Sequence, residues 1–271
     1  MAPGRPHEVP RSWLVPQWSA PPGVHALFST REGGTSAPPF DSFNLGDHVG
    51  DEPVRVRANR GILHGITGAR PVFLRQVHGT HVAELDARSP DGLEADACLA
   101  TAPGVACTIM VADCLPVLLT DRQARFVAAA HAGWRGLAGV GGPGVLAATV
   151  AAVLARVHGI TVGDLLAWLG PCIGPQYFEV GDEVRASFAA AGFDVARAFR
   201  PLPLARPGQW LADLPLLARQ QLQRLGVTAI HGNDGTAPWC TVQQPSRFFS
   251  HRRDAARLGR TGRMAACIWL G

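Results

Sequence analysis

The chain has 271 residues, of which 47% are hydrophobic, so it can bury a sizeable core and general disorder is excluded. Its formal net charge of +4 comes from scattered basic residues, which gives no support to a nucleic-acid-binding groove. All 25 residues of the Lys and Arg class are Arg, which excludes Schiff-base chemistry and a lysine-bearing phosphate loop.

The start of the chain is rich in proline, so residues 1–22 are expected to form a loosely ordered arm. This segment also lacks an apolar core of the length found in signal peptides. No stretch approaches the roughly 18 consecutive apolar residues of a membrane span. The six cysteines form no Cys-x-x-Cys pair, which argues against a disulfide framework. We therefore expect a cytoplasmic protein with no membrane or nucleic-acid partner, and one domain over residues 23–271.

Short apolar runs predict strands, and helical spacing of apolar residues predicts helices. The predicted strands cover residues 24–29, 72–74, 95–99, 105–111, 165–169, 227–231 and 264–270. The predicted helices cover residues 52–64, a buried segment that ends near residue 158, 181–191 and 213–225. On the first helix, the spacing predicts a buried stripe of Val54, Ala58, Ile62 and Leu63. Strands dominate without regular β–α alternation, which favours an α+β fold with mixed sheets.

The stretch from Ala112 to Gly136 contains two apolar runs around a short polar segment, the pattern of a β-hairpin. A two-residue turn at Arg122 and Gln123 would pair Cys114 with His131. Directly opposed residues lie on the same face of a sheet, with Cβ atoms about 4.5–5.5 Å apart. A one-residue slip would place the two side chains on opposite faces.

A cysteine and a histidine brought together in this way could ligate a metal, form a nucleophile–base pair or simply pack. Free Cys is commonly a buried small hydrophobe, but His131 ends an apolar strand at a Gly-containing loop, where working side chains are often exposed. His78 follows another short strand and precedes a glycine, which makes it a candidate third ligand. His81 lies on the opposite face of an extended chain from His78, so the two cannot share a metal without a bend.

Polar loops supply further candidates. The long Gly-punctuated stretch over residues 30–51 is expected to be either mobile or functional, and it carries Arg31, Asn44 and His48. A double arginine, Arg252 and Arg253, follows two phenylalanines and could grip phosphate.

The chain resembles the laccase-domain, or polyphenol oxidase-like, family, now regarded as purine nucleoside phosphorylases. The resemblance runs from Thr30 to Leu270. It rests on Thr30-Arg31-x-Gly33-Gly34, Asn44-Leu45-Gly46-x-His48-Val49-Gly50-Asp51, Gln76-Val77-His78-Gly79, Ala112-Asp113-Cys114-Leu115-Pro116, His131-Ala132-Gly133-Trp134-Arg135-Gly136, Gly170-Pro171-x-Ile173-Gly174 and Phe248-Phe249-Ser250-x-Arg252-Arg253.

This resemblance implies a zinc ion held by His78, Cys114 and His131. It implies phosphorolysis of adenosine, inosine and methylthioadenosine, together with adenosine deamination, so the expected partners are purine nucleosides and phosphate. It also implies a sandwich of mixed sheets flanked by helices, related to bacterial deamidating toxins. Members have also been called copper-dependent phenol oxidases, and some peptidoglycan editing factors.

Within that family, Phe178 and His251 depart from the usual pattern, which bears on substrate preference. Catalytic zinc commonly has three protein ligands and one open position, and the catalytic candidates are Cys114, His131, Asp113 and Arg135. Asp113 is expected to orient a ligand histidine. Without lysine, phosphate must be held by arginine and backbone N–H groups. Candidates for binding substrate or phosphate, besides Arg135, are Arg31, Asn44, His48, Arg252 and Arg253.

Two alternatives to a zinc phosphorylase remain at this point, besides a copper oxidase. In the first, Cys114 is the nucleophile of a hydrolase, such as a peptidoglycan-editing amidase, and His131 is its base. In the second, the protein is a binding module with a structural zinc, although such a site would favour a fourth protein ligand.

Overall fold

The computed structural model describes residues 8–139, 141–202 and 207–271. The strands are β1 (Val24–Phe28), β2 (Arg70–Phe73), β3 (Val82–Glu84), β4 (Ala97–Ala100), β5 (Val105–Val111), β6 (Leu115–Asp121), β7 (Val127–Ala132), β8 (Leu165–Leu169), β9 (Glu179–Gly181), β10 (Phe199–Pro201), β11 (Gln209–Ala212), β12 (Ala229–Gly232) and β13 (Met264–Leu270). The helices are α1 (Pro53–Thr67), α2 (Trp134–Ala138), α3 (Val145–Arg156), α4 (Asp182–Ala190), α5 (Val195–Ala198), α6 (Leu214–Arg224) and α7 (His251–Leu258), and short 3-10 turns cover Val162–Asp164 and Ala237–Trp239. Among these helices, none combines the length and the apolar character that crossing a bilayer would require.

Two mixed sheets dominate the architecture. The first has the strand order β1-β13-β5-β2 and is antiparallel except for the β2–β5 pair. The second has the order β12-β8-β6-β7-β4-β3 and is parallel only at its two outermost pairs. A smaller antiparallel sheet, β10-β11-β9, lies outside them. The predicted α+β class with mixed sheets is confirmed.

Three apolar layers hold the two large sheets between helices. One layer joins α1 to the four-stranded sheet through residues such as Leu63 and Met110. A second fills the space between the sheets, where Ile109 of one sheet faces Leu118 and Trp168 of the other. The third joins the six-stranded sheet to α3 and α6. The predicted sandwich flanked by helices is therefore confirmed, whereas its relation to deamidating toxins stays a prediction.

The central strands are buried on both faces, which explains their continuous apolar sequences. Along β6, Leu115, Val117 and Leu119 face the helices, whereas Leu118 faces the other sheet. Along β7, the even-numbered alanines face the helices, and Val127 and Ala129 face inward. Residue 131 and residue 114 share this inward side by the period of two.

The predicted register of the β6–β7 hairpin is wrong by two residues. His131 lies opposite Pro116, and the pairing ends at Thr120 opposite Val127, so the turn is wider than two residues. The wider turn is held by Asp121, whose carboxylate accepts hydrogen bonds from the backbone N–H and Nε of Arg125. A shift of two residues keeps every side chain on its face, so Cys114 and His131 still converge.

The predicted buried stripe of α1 is also wrong in part. Val54, Ala58 and Ile62 are exposed, and of the predicted stripe only Leu63 is buried. The buried face carries Asn59, whose side chain accepts from the Thr35 N–H and donates to the carbonyls of Ser42 and Asn44. Because a polar residue occupies the buried face, the spacing of apolar residues alone indicated the wrong side.

The expected N-terminal arm is only partly described, since residues 1–7 lie outside the described ranges. Within the described part, Trp13 is 5% exposed and packs on Phe43 at a ring-centroid distance of 4.9 Å. Leu14 forms an antiparallel bridge with Phe28 of β1. These contacts attach the second half of the arm to the four-stranded sheet, which differs from the loose packing expected from its prolines.

The hairpin turn gives a stability prediction. Asp121 is fully buried, so Asp121→Ala removes two charge-assisted hydrogen bonds and leaves the Arg125 N–H without its partner. We expect the free energy of unfolding in urea to fall by about 1.5–3 kcal/mol. The control is Arg122→Ala at an exposed position of the same turn, with an expected change within about 0.5 kcal/mol. Equal losses in the two variants would contradict the role given to Asp121.

Candidate metal centre and cavity

Three potential metal ligands meet where the space between the two large sheets opens at one end. His78 follows β2 of the four-stranded sheet, whereas Cys114 precedes β6 and His131 lies in β7 of the other sheet. Their ligand atoms all lie within 4.8 Å of one another. Cys114 Sγ is 3.7 Å from His78 Nε2, and the two imidazole rings have centroids 4.8 Å apart. The three side chains are thus close enough to bind one ion.

Glycines after β7 make this convergence sterically allowed. A Cβ at Gly133 would come within 2.8 Å of His78 Cδ2 and 3.1 Å of Cys114 Sγ. A Cβ at Gly136, in α2, would come within 2.7 Å of the Gly79 carbonyl oxygen. The motif His-Ala-Gly-Trp-Arg-Gly therefore allows α2 to pack directly against the loop that carries His78.

Asp96 links two of the three potential ligands. It lies immediately before β4, is fully buried, and accepts a hydrogen bond from His131 Nδ1 at 2.8 Å. The same carboxylate accepts from the backbone N–H groups of Val77, His78 and Gly79 at 3.1, 2.9 and 2.6 Å. An ionised carboxylate only accepts hydrogen bonds, so Nδ1 of His131 carries the proton and Nε2 is the free ligand nitrogen.

The backbone of His78 has a left-handed conformation, with φ 62°. Consecutive N–H groups in such a turn form a concave site for an anion, and Asp96 occupies it. Burial alone would raise the pKa of Asp96, but the hydrogen bonds from His131 and the Gly79 amide lower it. The carboxylate is therefore ionised and fixes the position of His78 without touching its ring.

The electrostatics of the cluster favour an ionised sulfur. Burial would raise the pKa of the Cys114 thiol, but the charge and hydrogen bond of His131, aided by His78, lower it to about 6. Burial would lower the pKa of His131, but the charge of Cys114 and the hydrogen bond to Asp96 raise it to about 9. Without a metal, the pair is a thiolate and an imidazolium at neutral pH.

The donor set fits a catalytic metal site. One thiolate and two imidazole nitrogens are ligands for zinc or copper, and the carboxylate hydrogen-bonded to the outer nitrogen of a ligand histidine is a frequent support. The separation of 3.7 Å between sulfur and nitrogen fits ligands on neighbouring corners of a tetrahedron with bonds of about 2.0–2.3 Å. A metal held by these three ligands would have the ligand number that is typical of catalytic zinc sites.

The cluster forms part of the wall of a cavity of about 820 Å³. Apolar side chains, among them Phe73, Met110, Ile173 and Phe178, line part of it. Among the described residues, five arginines and three aspartates line it, which gives it a positive character. The charged lining residues are Arg60, Arg75, Arg135, Arg252 and Arg263 together with Asp47, Asp91 and Asp113. The cavity suits a ligand with both an apolar ring and an anionic group.

The structure brings some of the residues predicted to bind substrate to this cavity. His48, Arg135 and Arg252 line it, as does His251. Arg135 is exposed and stacks over Trp134 at 4.4 Å. Arg252 donates from Nη1 to the Tyr177 carbonyl and from Nη2 to the Glu179 carbonyl, which uses two of its five N–H donors.

Three other predicted residues do not line the cavity. Arg31 donates to the carbonyls of Asp41 and Pro245 and pairs with the Asp41 carboxylate at 3.1 Å. Arg253 donates from all three guanidinium nitrogens to Asp254 and to the carbonyls of residues 241, 242 and 248. Asn44 is buried, and its amide bonds to Gly46, Asp51 and the Arg263 N–H. All three residues are committed to the fold.

Asp113 does not orient a ligand histidine, because that position belongs to Asp96. The Asp113 carboxylate accepts from the Thr241 hydroxyl at 2.5 Å and from the Arg252 N–H at 2.6 Å. It therefore ties the first turn of α7 to the residue beside Cys114. The expectation failed because a carboxylate next to a ligand in sequence need not point toward the next ligand in space.

Sequence reasoning missed two residues of this centre, Asp96 and Arg263. Asp96 had a signal, since a lone carboxylate within the apolar run 95–100 has to be buried and hydrogen-bonded. Arg263 had none, because nothing in its neighbourhood distinguishes it from the other arginines of the chain.

Comparison with known proteins identifies the family of the chain. Residues 25–271 match the family model described as multi-copper polyphenol oxidoreductase laccase. The chain belongs to this laccase family. A purine nucleoside phosphorylase of Pseudomonas aeruginosa is 49% identical over 96% of this chain and 98% of its own length. The purine nucleoside phosphorylase YfiH of Escherichia coli is 46% identical over 95% of this chain and 98% of its own.

Solved structures of laccase-family relatives share the fold. A crystal structure from Neisseria meningitidis has a TM-score of 0.86 at 43% identity and covers 96% of this chain and 99% of its own. YlmD from Geobacillus stearothermophilus has a TM-score of 0.81 at 33% identity, covering 97% and 98%. The arrangement described above is therefore that of a laccase-family protein whose curated relatives are named phosphorylases.

The linking role of Asp96 predicts the effect of removing its charge. Asp96→Asn keeps the shape of the side chain but loses the ionised acceptor shared by His131 and the loop of His78. We expect zinc affinity, measured by competition with a chromogenic chelator, to fall about 10–100-fold. Asp164→Asn, at an exposed carboxylate in a distant turn, is the control and should leave the affinity unchanged. Unchanged affinity in Asp96→Asn would refute the linking role.

The lowered pKa of Cys114 predicts the reactivity of the metal-free protein. A thiolate, not a thiol, is alkylated, so the rate of iodoacetamide labelling at Cys114 should rise with pH through about 6 and then level off. A group with an ordinary pKa would instead gain reactivity up to about pH 8.5. Mass spectrometry of the Cys114 peptide after labelling at several pH values distinguishes the two profiles.

Proposed function

We propose that this chain is a zinc-dependent purine nucleoside phosphorylase that acts on adenosine, inosine and methylthioadenosine and also deaminates adenosine. The observation that carries the proposal is the placement of His78, Cys114 and His131 in the wall of a cavity with apolar surface and an excess of arginine. The names of the curated relatives support the phosphorylase part. Six free cysteines suit a reducing compartment, and we propose the cytoplasm as the site of action.

Zinc is proposed over copper because of the donor set. A multicopper cluster requires many imidazoles. The described part of the chain contains a single group of three or more potential metal ligands, and this group has two histidines and one cysteine. Two imidazoles, one thiolate and an open position are typical of catalytic zinc. The family name alone does not decide the metal.

In phosphorolysis, the arginines of the cavity would bind the phosphate, and Asp113 would position one of them. Phosphate oxygen forms a bond to C1′ of the ribose, the bond from C1′ to the purine breaks, and the purine leaves with the electron pair and takes up a proton. The arginines of the cavity, with Arg135 beside His78, would hold the phosphate by charge-assisted hydrogen bonds. Asp113 would hold the first turn of α7, and with it Arg252, beside Cys114.

Deamination requires a water directed at C6 of adenine, with ammonia as the leaving product. A zinc ion held by His78, Cys114 and His131 would supply the Lewis-acid chemistry that activates this water. The aromatic ring of Phe178 and the side chain of Ile173 offer an apolar surface for the purine on the same cavity. Both activities thus require one substrate position near one centre.

A second candidate function rests on the charge state of the cluster. Cys114 as thiolate, His131 as imidazolium and Asp96 on the outer nitrogen form a Cys–His–Asp arrangement, which is that of a cysteine hydrolase. The sulfur cannot serve as a zinc ligand and as a free nucleophile at once. Metal analysis with and without chelation therefore separates the two functions.

Replacement of His78 tests the proposal against this alternative. His78→Ala should reduce zinc content and abolish both phosphorolysis of inosine and deamination of adenosine, because it removes one of three ligands. Its Cys114 should also become open to alkylation, since zinc shields the sulfur of the wild-type protein. The matched control is His81→Ala, three residues away, whose exposed ring is hydrogen-bonded to the Glu94 carbonyl and lies outside the cluster.

The outcomes differ clearly between the two functions. For a zinc phosphorylase, the product assay with inosine and inorganic phosphate yields hypoxanthine and ribose 1-phosphate, and chelation stops the reaction. A wild-type protein without stoichiometric metal that keeps full activity after chelation would refute the zinc proposal. Loss of activity only to thiol alkylation would favour the cysteine hydrolase.

A further inference from the structure

We infer that Arg263 binds oxygens of the phosphate beside the metal ligands, and that Asn44 and Gly46 position the side chain of Arg263. Arg263 immediately precedes β13 and lines the cavity. The identity of the anion as reacting phosphate rests on the function proposed above, whereas the presence of an anion subsite does not.

The side chain of Arg263 is fixed at one edge and free at the other. Its Nη1 donates to the carbonyls of Thr261 and Gly262 at 3.1 and 3.2 Å. Its Nε and Nη2 have no hydrogen-bond partner among the residues that the structure describes. Nε and Nη2 form one side of the planar guanidinium, the side that binds two oxygens of a phosphate or carboxylate together.

The segment Asn44-Leu45-Gly46 holds the backbone of Arg263 and leaves space for the first atoms of its side chain. Asn44 Oδ1 accepts from both the Gly46 N–H and the Arg263 N–H, each at 2.9 Å. A Cβ at residue 46 would lie 2.8 Å from Cγ and 3.2 Å from Cβ of Arg263, so glycine leaves the space that the side chain occupies. This explains why residues 44 and 46 matter to the cavity although they do not line it.

The other arginines of the cavity are either exposed or held by partners at both ends of the guanidinium. Arg252 donates to two carbonyls, and Arg75 pairs with Glu94 at its exposed end. Arg60 donates to the Leu45 carbonyl, pairs with Asp47 at 3.2 Å and stacks on a phenylalanine. Arg135 lies exposed over Trp134, in the lining of a second opening beside His78. Arg263 is thus the partly buried cation of the cavity with two adjacent donors to offer.

The charges around Arg263 favour an anion once a metal is bound by the neighbouring ligands. Burial lowers the pKa of Arg263, while the nearby charges of Cys114 and Asp113 raise it. The guanidinium remains ionised at neutral pH. When the sulfur and the two histidines bind a metal cation, the cavity around Arg263 gains positive charge, and an incoming phosphate compensates both cations at once.

The test uses the zinc-loaded full chain and varies inorganic phosphate at saturating inosine. Arg263→Gln should raise KM for phosphate about 10–100-fold, the expected loss of charge-assisted hydrogen bonds. KM for inosine and zinc content should stay unchanged. Arg263→Lys should give an intermediate KM for phosphate because an ammonium retains the charge but not the paired donors. Arg156→Gln, which removes an arginine outside the cavity, is the charge control.

Gly46→Ala tests the positioning role without changing a charge. The added methyl group would push the side chain of Arg263 from its place, so KM for phosphate should rise several-fold while zinc content is kept. Gly61→Ala is the matched control, since a Cβ there would meet nothing within 4 Å. Should Arg263→Gln fail to fold, Arg263→Lys and Gly46→Ala decide the question.

Some results would overturn the inference. Unchanged KM for phosphate in both Arg263 variants would do so, as would loss of zinc and of kcat with no change in that KM, which is the pattern of a structural role. Binding of inorganic phosphate is measured separately as the rise in Tm that it causes, and Arg263→Gln should abolish that rise. If wild-type protein shows the rise but no phosphorolysis, the proposed function fails while the anion subsite stands.

Discussion

The candidate metal centre depends on one buried carboxylate. Asp96 accepts four hydrogen bonds, three from consecutive backbone N–H groups around His78 and one from the ring of His131. A buried charge is costly unless it is fully hydrogen-bonded, so this carboxylate holds the loop and the strand in one relative position. The left-handed backbone of His78 is part of the turn that directs these three N–H groups at the carboxylate.

How far the fold could be predicted depends on which faces of an element are buried. The strands over residues 105–111, 165–169 and 264–270 have the predicted bounds, because burial on both faces gives a continuous apolar run. The register of the β6–β7 hairpin was not predictable, since it depends on the hydrogen bonds between Asp121 and Arg125 and not on the apolar pattern. The buried face of α1 was misread because Asn59 occupies it to support a loop.

The site was predictable where the chemistry of a side chain identifies it, and not elsewhere. Cysteine and histidine at the ends of apolar strands are few, so Cys114 and His131 could be found. Arginine in this chain serves too many purposes to be assigned from sequence. Arg253 hydrogen-bonds residues around α7, Arg31 connects two loops, and Arg263 lines the cavity. The sequence shows the same residue type at all three positions. Their roles depend on which donors remain free after folding, which is a property of three-dimensional structure.

The origin of the three potential ligands has a consequence for how the protein folds. His78 lies in the connection between β2 of the four-stranded sheet and β3 of the six-stranded sheet, and the N–H groups of its loop bind Asp96 beside β4. All three potential ligands are therefore held on the six-stranded sheet, and a partly folded state with only that sheet formed would still bring them together. Bound metal would act as a clamp on the connection between the two sheets, and its release would report loosening of that connection before any strand is lost.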